Sequence, residues 1–368
     1  MVSTAAPARI VGFGSAVPGA LDQQELWDGF FAAHFARADG TPDRRAARIW
    51  RGAGVVTRHG VVDPRVEDVT SWTTGQRMRR FVEEAVPLGK GAVSGALGAA
   101  GVDPGSVGMF AVASCTGYAT PGLDIVLARD LGMPDDVARL AIGHMGCYAA
   151  LPGLVTIADT ARSRGLPSVL LCAELPCLHA QPRVDVSTAG GVEQLVAHAL
   201  FADAAASAVV LPGDHPGLPA GLEILDSAVH TDVDTASLMS WDVTDTGFRM
   251  ALSPRVPSVL ARSVRGVLDR LLGRNGFSVQ DVAGWAVHPG GPAILDVVAE
   301  RCGLPADALD VSRAVLAENG NCSSATVLMV TDRMVATREM TAGDLVVMVA
   351  FGPGLTLHTV LTRWAPGV

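Results

Sequence analysis

The chain has 368 residues, 49% of them hydrophobic, enough to bury one large core or two fused ones without covalent staples. A net charge of −9 and a pI near 5.4 exclude the broad basic surface that nucleic acid or an anionic membrane requires, so small-molecule chemistry is the expectation. The opening stretch MVSTAAPARIVGFGSAVPG lacks a basic region followed by a long apolar one, and no run approaches the ~18 apolar residues of a membrane span, which predicts a cytoplasmic protein.

In chain order, short β-rich runs alternate with longer helical ones. ARIVGFGSAV reads as a strand; its GFGS glycines lack the spacing of a dinucleotide loop and are read as a strand end and turn. Next comes PDRRAARIWRGAG, which concentrates Arg44, Arg45, Arg48 and Arg51. The only lysine, Lys90, sits in the helical stretch AVPLGKGAVSGAL, a solvated setting that does not favour Schiff-base chemistry. GMFAVASCT, SVLLCAEL, ASAVVLPG, GWAVHPGG, DLVVMVAFGPG and LTLHTVLTRW follow as buried strands, and the alternation predicts an α/β protein. None of the six cysteines falls in a zinc-type spacing, so no metal is expected; Cys172, Cys177, Cys302 and Cys322 read as inert core thiols.

A weak internal repeat organises these elements. MFAVASCTG, MGCYAALPGLVTIADTAR and SVLLCAEL form a strand, helix and strand in the first half; GWAVHPGGP, NGNCSSATVLMVTDRM and DLVVMVAFGPG echo that order in the second. Both helices open on a glycine and one chemically useful residue, Gly146-Cys147 and Gly320-Asn321, followed by small residues. A pseudo-twofold relation would bring Cys147 and Asn321 to one crevice, joined by His288 from the end of a second-half strand. A thiol at a helix start beside an imidazolium is expected to ionise near neutral pH. An amide beside the histidine adds a second donor that can be aimed at one oxygen, which suits an enolate better than peptide hydrolysis. His144, three residues ahead of the cysteine, is read as structural.

The stretches GCYAA (146–150), HPGGPAILD (288–296), ENGNCSSATVL (318–328) and FGPGLTLHTVL (351–361) closely resemble the motifs of type III polyketide synthases, the chalcone synthase superfamily, over nearly the whole chain and in the same order. The resemblance implies a thiolase-like fold, a duplicated five-layered α/β/α/β/α architecture, with residues 1–222 carrying the nucleophile and 223–368 the histidine and asparagine. It implies that Cys147 accepts a starter acyl group from coenzyme A, and that His288 and Asn321 stabilise the enolate of decarboxylating malonyl-CoA. Iterative condensation would follow, with cyclisation to a pyrone, resorcinol or related aromatic product, in a cytoplasmic homodimer needing no redox cofactor or metal. Analogy with bacterial relatives favours a medium or long acyl-CoA starter. The rival readings are a carrier-protein-dependent enzyme making one condensation, and a silent acyl-CoA-binding homologue.

Carried over by position, Phe201 and Phe248 are the gatekeeping aromatics, and Cys115, Thr116, Thr120, His179 and Ser323 line the pocket. Arg44, Arg48, Arg51, Gly290 and Gly291 would hold coenzyme A. Thr120 stands where plant relatives place a methionine that reaches into the partner subunit, and His179 is unusual at its position. Pro152, five residues after Cys147, predicts a kink in the following helix.

Overall fold

The computed structural model describes residues 6–37, 39–41, 43–183 and 185–368. Its principal strands are β1 (Arg9–Ala16), β2 (Met109–Ala113), β3 (Ala138–Ile142), β4 (Ser168–Glu174), β5 (Ala204–Leu211), β6 (Gly221–Thr231), β7 (Met239–Thr244), β8 (Gly247–Leu252), β9 (Val282–Val287), β10 (Leu345–Gly352) and β11 (Thr356–Ala365). Nine form one mixed sheet in the order β9-β10-β11-β6-β1-β5-β4-β2-β3, while β7 and β8 make a separate hairpin. The two halves of the sheet meet at β1 and β6, where Arg9 opposes Glu223 and Ile10 opposes Leu222. A 3.0 Å ion pair between Arg9 and Glu223 reinforces that short seam.

The helices sort into three layers around this sheet. Helix α1 (Arg44–Arg51) lies near the start of the chain; α2 (Thr74–Ala100) and α3 (Leu123–Leu131) cover the outer face of the first half. Helices α4 (Ala150–Arg164) and α8 (Ala325–Thr337) run between the two halves; α5 (Ala189–Leu200) packs on the hairpin, and α6 (Val256–Arg274) and α7 (Pro292–Cys302) lie on the outer side of the second half. This is the five-layered thiolase-like arrangement.

Side-chain alternation explains why the strands are apolar throughout. Val169, Leu171 and Ala173 of β4 join the outer core under α2, while Leu170 and Cys172 join the middle core with Leu151, Leu154 and Ile157 of α4. In β10, Val347 and Val349 face Leu260, Val264 and Leu268 of α6, whereas Val346 and Met348 face the middle layer. Both faces of each strand are covered, so neither can be polar. Gly12 and Gly14 lie within β1, not at its end; a Cβ there would come within 2.5 Å of the α2 backbone. Close packing of helix on strand, not a turn, accounts for GFGS. No helix of the described residues is long and apolar enough to cross a membrane.

Candidate active site

Cys147 sits in a single 3-10 turn, Gly146–Tyr148, directly ahead of α4. The turn requires Gly146: its φ is 66°, and a Cβ would stand 2.7 Å from Pro353 of the FGPG loop. The loop therefore presses on the nucleophile's neighbour. Pro152 does not kink the helix, as its sequence position predicts, because α4 begins at Ala150 and Pro152 falls in the first turn, where a backbone N–H has no intrahelical partner to lose.

From the other half, His288 follows β9, and its backbone N–H donates to the Val349 carbonyl at 2.7 Å. Its ring is fully buried against the edge of Phe351 (centroids 5.6 Å apart), and neither ring nitrogen has a hydrogen-bond partner among the described residues. A buried orphaned imidazole is costly. Asn321 is held on both sides: its N–H donates to Leu200 O (2.8 Å) and its carbonyl accepts from the Ala202 N–H (3.0 Å). Gly320 makes that approach possible, with a φ of 72° and a Cβ position 2.8 Å from Ala202. The Asn321 Oδ1 accepts the Ser323 N–H at 2.9 Å, which leaves the Nδ2 amide as the group free to donate.

Cys147, His288 and Asn321 line one cavity of about 420 Å³, together with Phe201, Met239, Met250 and Phe351. Its lining runs from these buried groups to exposed Arg48, Gly52, Pro254 and Ala293, so the reactive sulfur communicates with the surface. Gly290 and Gly291 border the passage. Of the α1 arginines only Arg48 lines it. Arg44 and Arg51 lie one turn away on either side, exposed and unpaired with any carboxylate among the described residues, and neither they nor Arg45 line the cavity.

Electrostatics at the trio differ from the sequence expectation of a thiolate at neutral pH. Burial pushes the Cys147 thiol up to about 12, against the smaller favourable effects of the Ser323 hydroxyl and the Asn321 amide. Burial likewise pulls His288 down to about 3. Burial thus favours the neutral form of both groups, and desolvation outweighs the short turn's dipole.

Beneath the cysteine lies a carboxylate absent from the sequence-derived set. Glu174, fully buried at the end of β4, accepts from the Cys115 N–H (3.1 Å), the Thr116 hydroxyl (2.8 Å), the Ser324 hydroxyl (2.6 Å) and the Ser323 hydroxyl (3.4 Å). The Cys115 thiol lies 3.5 Å from Glu174 and 3.6 Å from the Ser323 hydroxyl. Burial raises Glu174 above the usual carboxylate range, and these donors oppose the rise. The signal was present: one acid closing seven consecutive buried strand residues must have donors waiting.

Several expected pocket residues are placed differently. Thr116 is spent on Glu174 and does not line the cavity. Thr120 lies exposed on the loop beside Tyr118, remote from the cavity lining of the single chain. Phe248 is separated from the reactive cavity: it stacks on His179 (centroids 4.4 Å, planes 7° apart), and both line a second space of about 60 Å³. Phe201 borders both spaces, as a gate should. Ser323 lies against Cys147 but, like Cys115 beside Glu174, is not part of the cavity lining. Among the described residues no group of three or more His, Cys, Asp or Glu could hold a metal ion.

Comparison with known proteins matches this geometry. Residues 1–216 fit the family of chalcone and stilbene synthases, N-terminal domain, and residues 223–366 the C-terminal domain. The chain is 35% identical over 321 residues to 1,3,6,8-tetrahydroxynaphthalene synthase of Streptomyces peucetius subsp. caesius, covering 86% of this chain and 83% of that one. It is 30% identical over 365 residues to 3,5-dihydroxyphenylacetyl-CoA synthase of Streptomyces toyocaensis, covering 97% and 90%. Among solved structures, the type III polyketide synthase domain of Steely1 from Dictyostelium superimposes with a TM-score of 0.89 at 26% identity, covering 97% of this chain and 99% of that one. The 1,3,6,8-tetrahydroxynaphthalene synthase of Streptomyces coelicolor A3(2) gives 0.86 at 26% identity, with the same coverage. With a cysteine, histidine and asparagine converging on one channel and both family domains matched end to end, the chain belongs to the chalcone and stilbene synthase family and is a type III polyketide synthase.

Proposed function

We propose that this synthase builds its product on Cys147, with His288 and Asn321 as the two donors to the developing enolate. The observation that carries the assignment is the orphaned His288 ring facing the same cavity as Cys147 and the free Asn321 amide. His288 takes the thiol proton as the sulfur attacks the acyl-CoA carbonyl; the carbon–sulfur bond to coenzyme A breaks, and the expelled thiolate is reprotonated. The two charges form together, so neither is buried alone. Malonyl-CoA then loses carbon dioxide, and the electron pair of the broken bond becomes an enolate held at its oxygen by the two donors; its carbon attacks the Cys147 thioester, the carbon–sulfur bond to Cys147 breaks, the freed sulfur recovers its proton from His288, and the lengthened chain is left on coenzyme A, from which it can return to Cys147. Atoms and electrons balance without a redox cofactor or metal. Repetition lengthens the chain before cyclisation.

Arg48, flanked one turn away by Arg44 and Arg51, is the phosphate grip at the channel mouth. The active species is a cytoplasmic homodimer. β3 is an edge strand with one side unpaired, and exposed Tyr118 and Thr120 lie on the loop after its neighbour β2; this edge is the surface for a second copy. Sedimentation should give twice the 38.0 kDa chain mass, and a 38.0 kDa species at micromolar concentration would refute the dimer.

Incubation with malonyl-CoA and a panel of acyl-CoA starters, alongside Cys147→Ala, tests the chemistry. Mass spectrometry should show products extended by two or more acetate units that vanish in the variant. Single-extension products dependent on acyl carrier protein would overturn the iterative reading.

A further inference from the structure

Helix α5 ends at Leu200, and the carbonyls of residues 198–201 are the ones that no N–H of the helix itself can satisfy. One side chain takes three of them. The Arg58 guanidinium donates to the carbonyls of His198 (2.6 Å), Ala199 (2.6 Å) and Phe201 (2.8 Å), and from Nε to Gln23 Oε1 (2.7 Å). Gln23 adds its own amide to the Ala199 carbonyl at 3.0 Å. The remaining carbonyl, that of Leu200, accepts the Asn321 N–H, and the Ala202 N–H donates back to the Asn321 carbonyl. The backbone of the oxyanion donor therefore hangs from the same stretch that Arg58 grips.

Arg58 is buried, and every one of these acceptors is neutral. Burial pulls the guanidinium down only to about 10, so it stays cationic at neutral pH. Asp203, whose charge favours that cation, spends its oxygens on the Val61 and Cys177 N–H groups (2.9 and 2.8 Å). What holds the charge in place is the negative end of α5 and the face of Trp50, 5.0 Å from the guanidinium. A neutral donor could cap the helix without the cost of burying a charge. A planar fork of five donors does something else: it fixes several peptide groups at once in one geometry. The stem of Arg58 also abuts the approach to Asn321, its Cβ lying 3.5 Å from where a Gly320 Cβ would stand. Resting on the polyketide synthase reading, we propose that Arg58 is a positioning residue for decarboxylation: by fixing the end of α5 it sets where Leu200 and Ala202 hold Asn321, and so aims the Asn321 amide at the enolate oxygen. Cys147 and His288 are held from elsewhere, by the FGPG loop and by Val349, so cysteine reactivity is independent of this grip.

The test measures malonyl-CoA decarboxylation by the full chain as wild type, Arg58→Lys, Asn321→Ala and the double variant, with alkylation of Cys147 by iodoacetamide as a companion readout. Lysine keeps the charge and loses the fork. Arg58→Lys should lower kcat about ten- to a hundredfold, the effect of a misplacement of about an ångström, with KM for malonyl-CoA and the alkylation rate near wild type. In the Asn321→Ala background the same substitution should cost less than about twofold, because the amide that it aims is gone. No loss in Arg58→Lys, a loss of equal size in both backgrounds, or a parallel fall in alkylation overturns the inference and leaves the synthase reading intact. Should Arg58→Lys fail to melt cooperatively, Gln23→Met takes its place, removing the side-chain acceptor of the guanidinium while keeping the arginine. A smaller loss of kcat that disappears in the Asn321→Ala background is then expected; no loss, or one indifferent to Asn321, overturns the inference. Undiminished decarboxylation in Asn321→Ala alone overturns the two-donor reading and the inference with it.

Discussion

At the scale of single residues, the division of labour between Asn321 and Cys147 is separable. In the proposed mechanism the Asn321 amide donates to the enolate, whereas acylation needs only the sulfur and a proton acceptor. Asn321→Ala should slow malonyl-CoA decarboxylation about 10²–10³-fold, the usual effect of removing one oxyanion donor. Iodoacetamide should still alkylate Cys147, measured as a mass increase on the intact chain; equal loss of both activities would show that the amide serves the fold instead. The three reactive residues were legible in the sequence because each sits in a motif with its own glycine. Glu174 was legible only as a lone acid closing an apolar strand, which says that donors are needed but not which ones; its role emerges when Thr116, Ser323 and Ser324 arrive from distant segments. Phe248 was legible as an aromatic and misplaced as a gate, since its partner His179 lies 69 positions away.

At the scale of elements, the Gly320–Asn321 junction shows how a helix start is aimed. The bridge between Phe201 and Asn321 ties the end of α5 to the approach of α8, and Gly320 is the hinge that lets the two backbones touch. Gly320→Ala adds a strained left-handed conformation and a 2.8 Å contact, mechanisms that each cost about 1–3 kcal/mol. Thermal melting should fall by several degrees, and condensation should fall further than Asn321→Ala alone explains, since Phe201 shifts as well. An unchanged melting temperature would mean that the junction relaxes freely. Strands buried on both faces were readable as unbroken apolar runs. Strands β3 and β6 were not: ARLAI is short and carries an arginine, and GLEILDSAVHT is half-buried along most of its length without clean alternation. The β7–β8 hairpin escaped notice because its buried residues, Met239, Met250 and Leu252, are dispersed among polar ones.

At the scale of the whole molecule, burial of titratable groups sets the response to acid. His34, His179, His198, His288 and His358 are held neutral, each at about 3 to 4 in the folded chain against 6.5 when free. The unfolded chain therefore binds more protons as pH falls below 6.5, and stability present above that value is lost on the way down. Burial raises Glu174, Asp332 and, to about 7, Asp203, which act in the opposite sense; five histidines outnumber three carboxylates. Melting temperature should drop between pH 7 and pH 5, and a flat or rising profile would contradict the burial of these rings.

The nucleophile enters the crevice from the first half and its two donors from the second, across a seam of two paired residues on each side. That arrangement bears on how such a gene can be shuffled. A crossover placed between residues 216 and 223 would deliver every catalytic motif intact to the daughter chain, yet the sulfur and the donors would then come from parents whose seams were never matched. Recombination among relatives is thus filtered by alignment of the halves and not by motif content, so diversity should accumulate as point changes around the inner wall more readily than by exchange of whole halves.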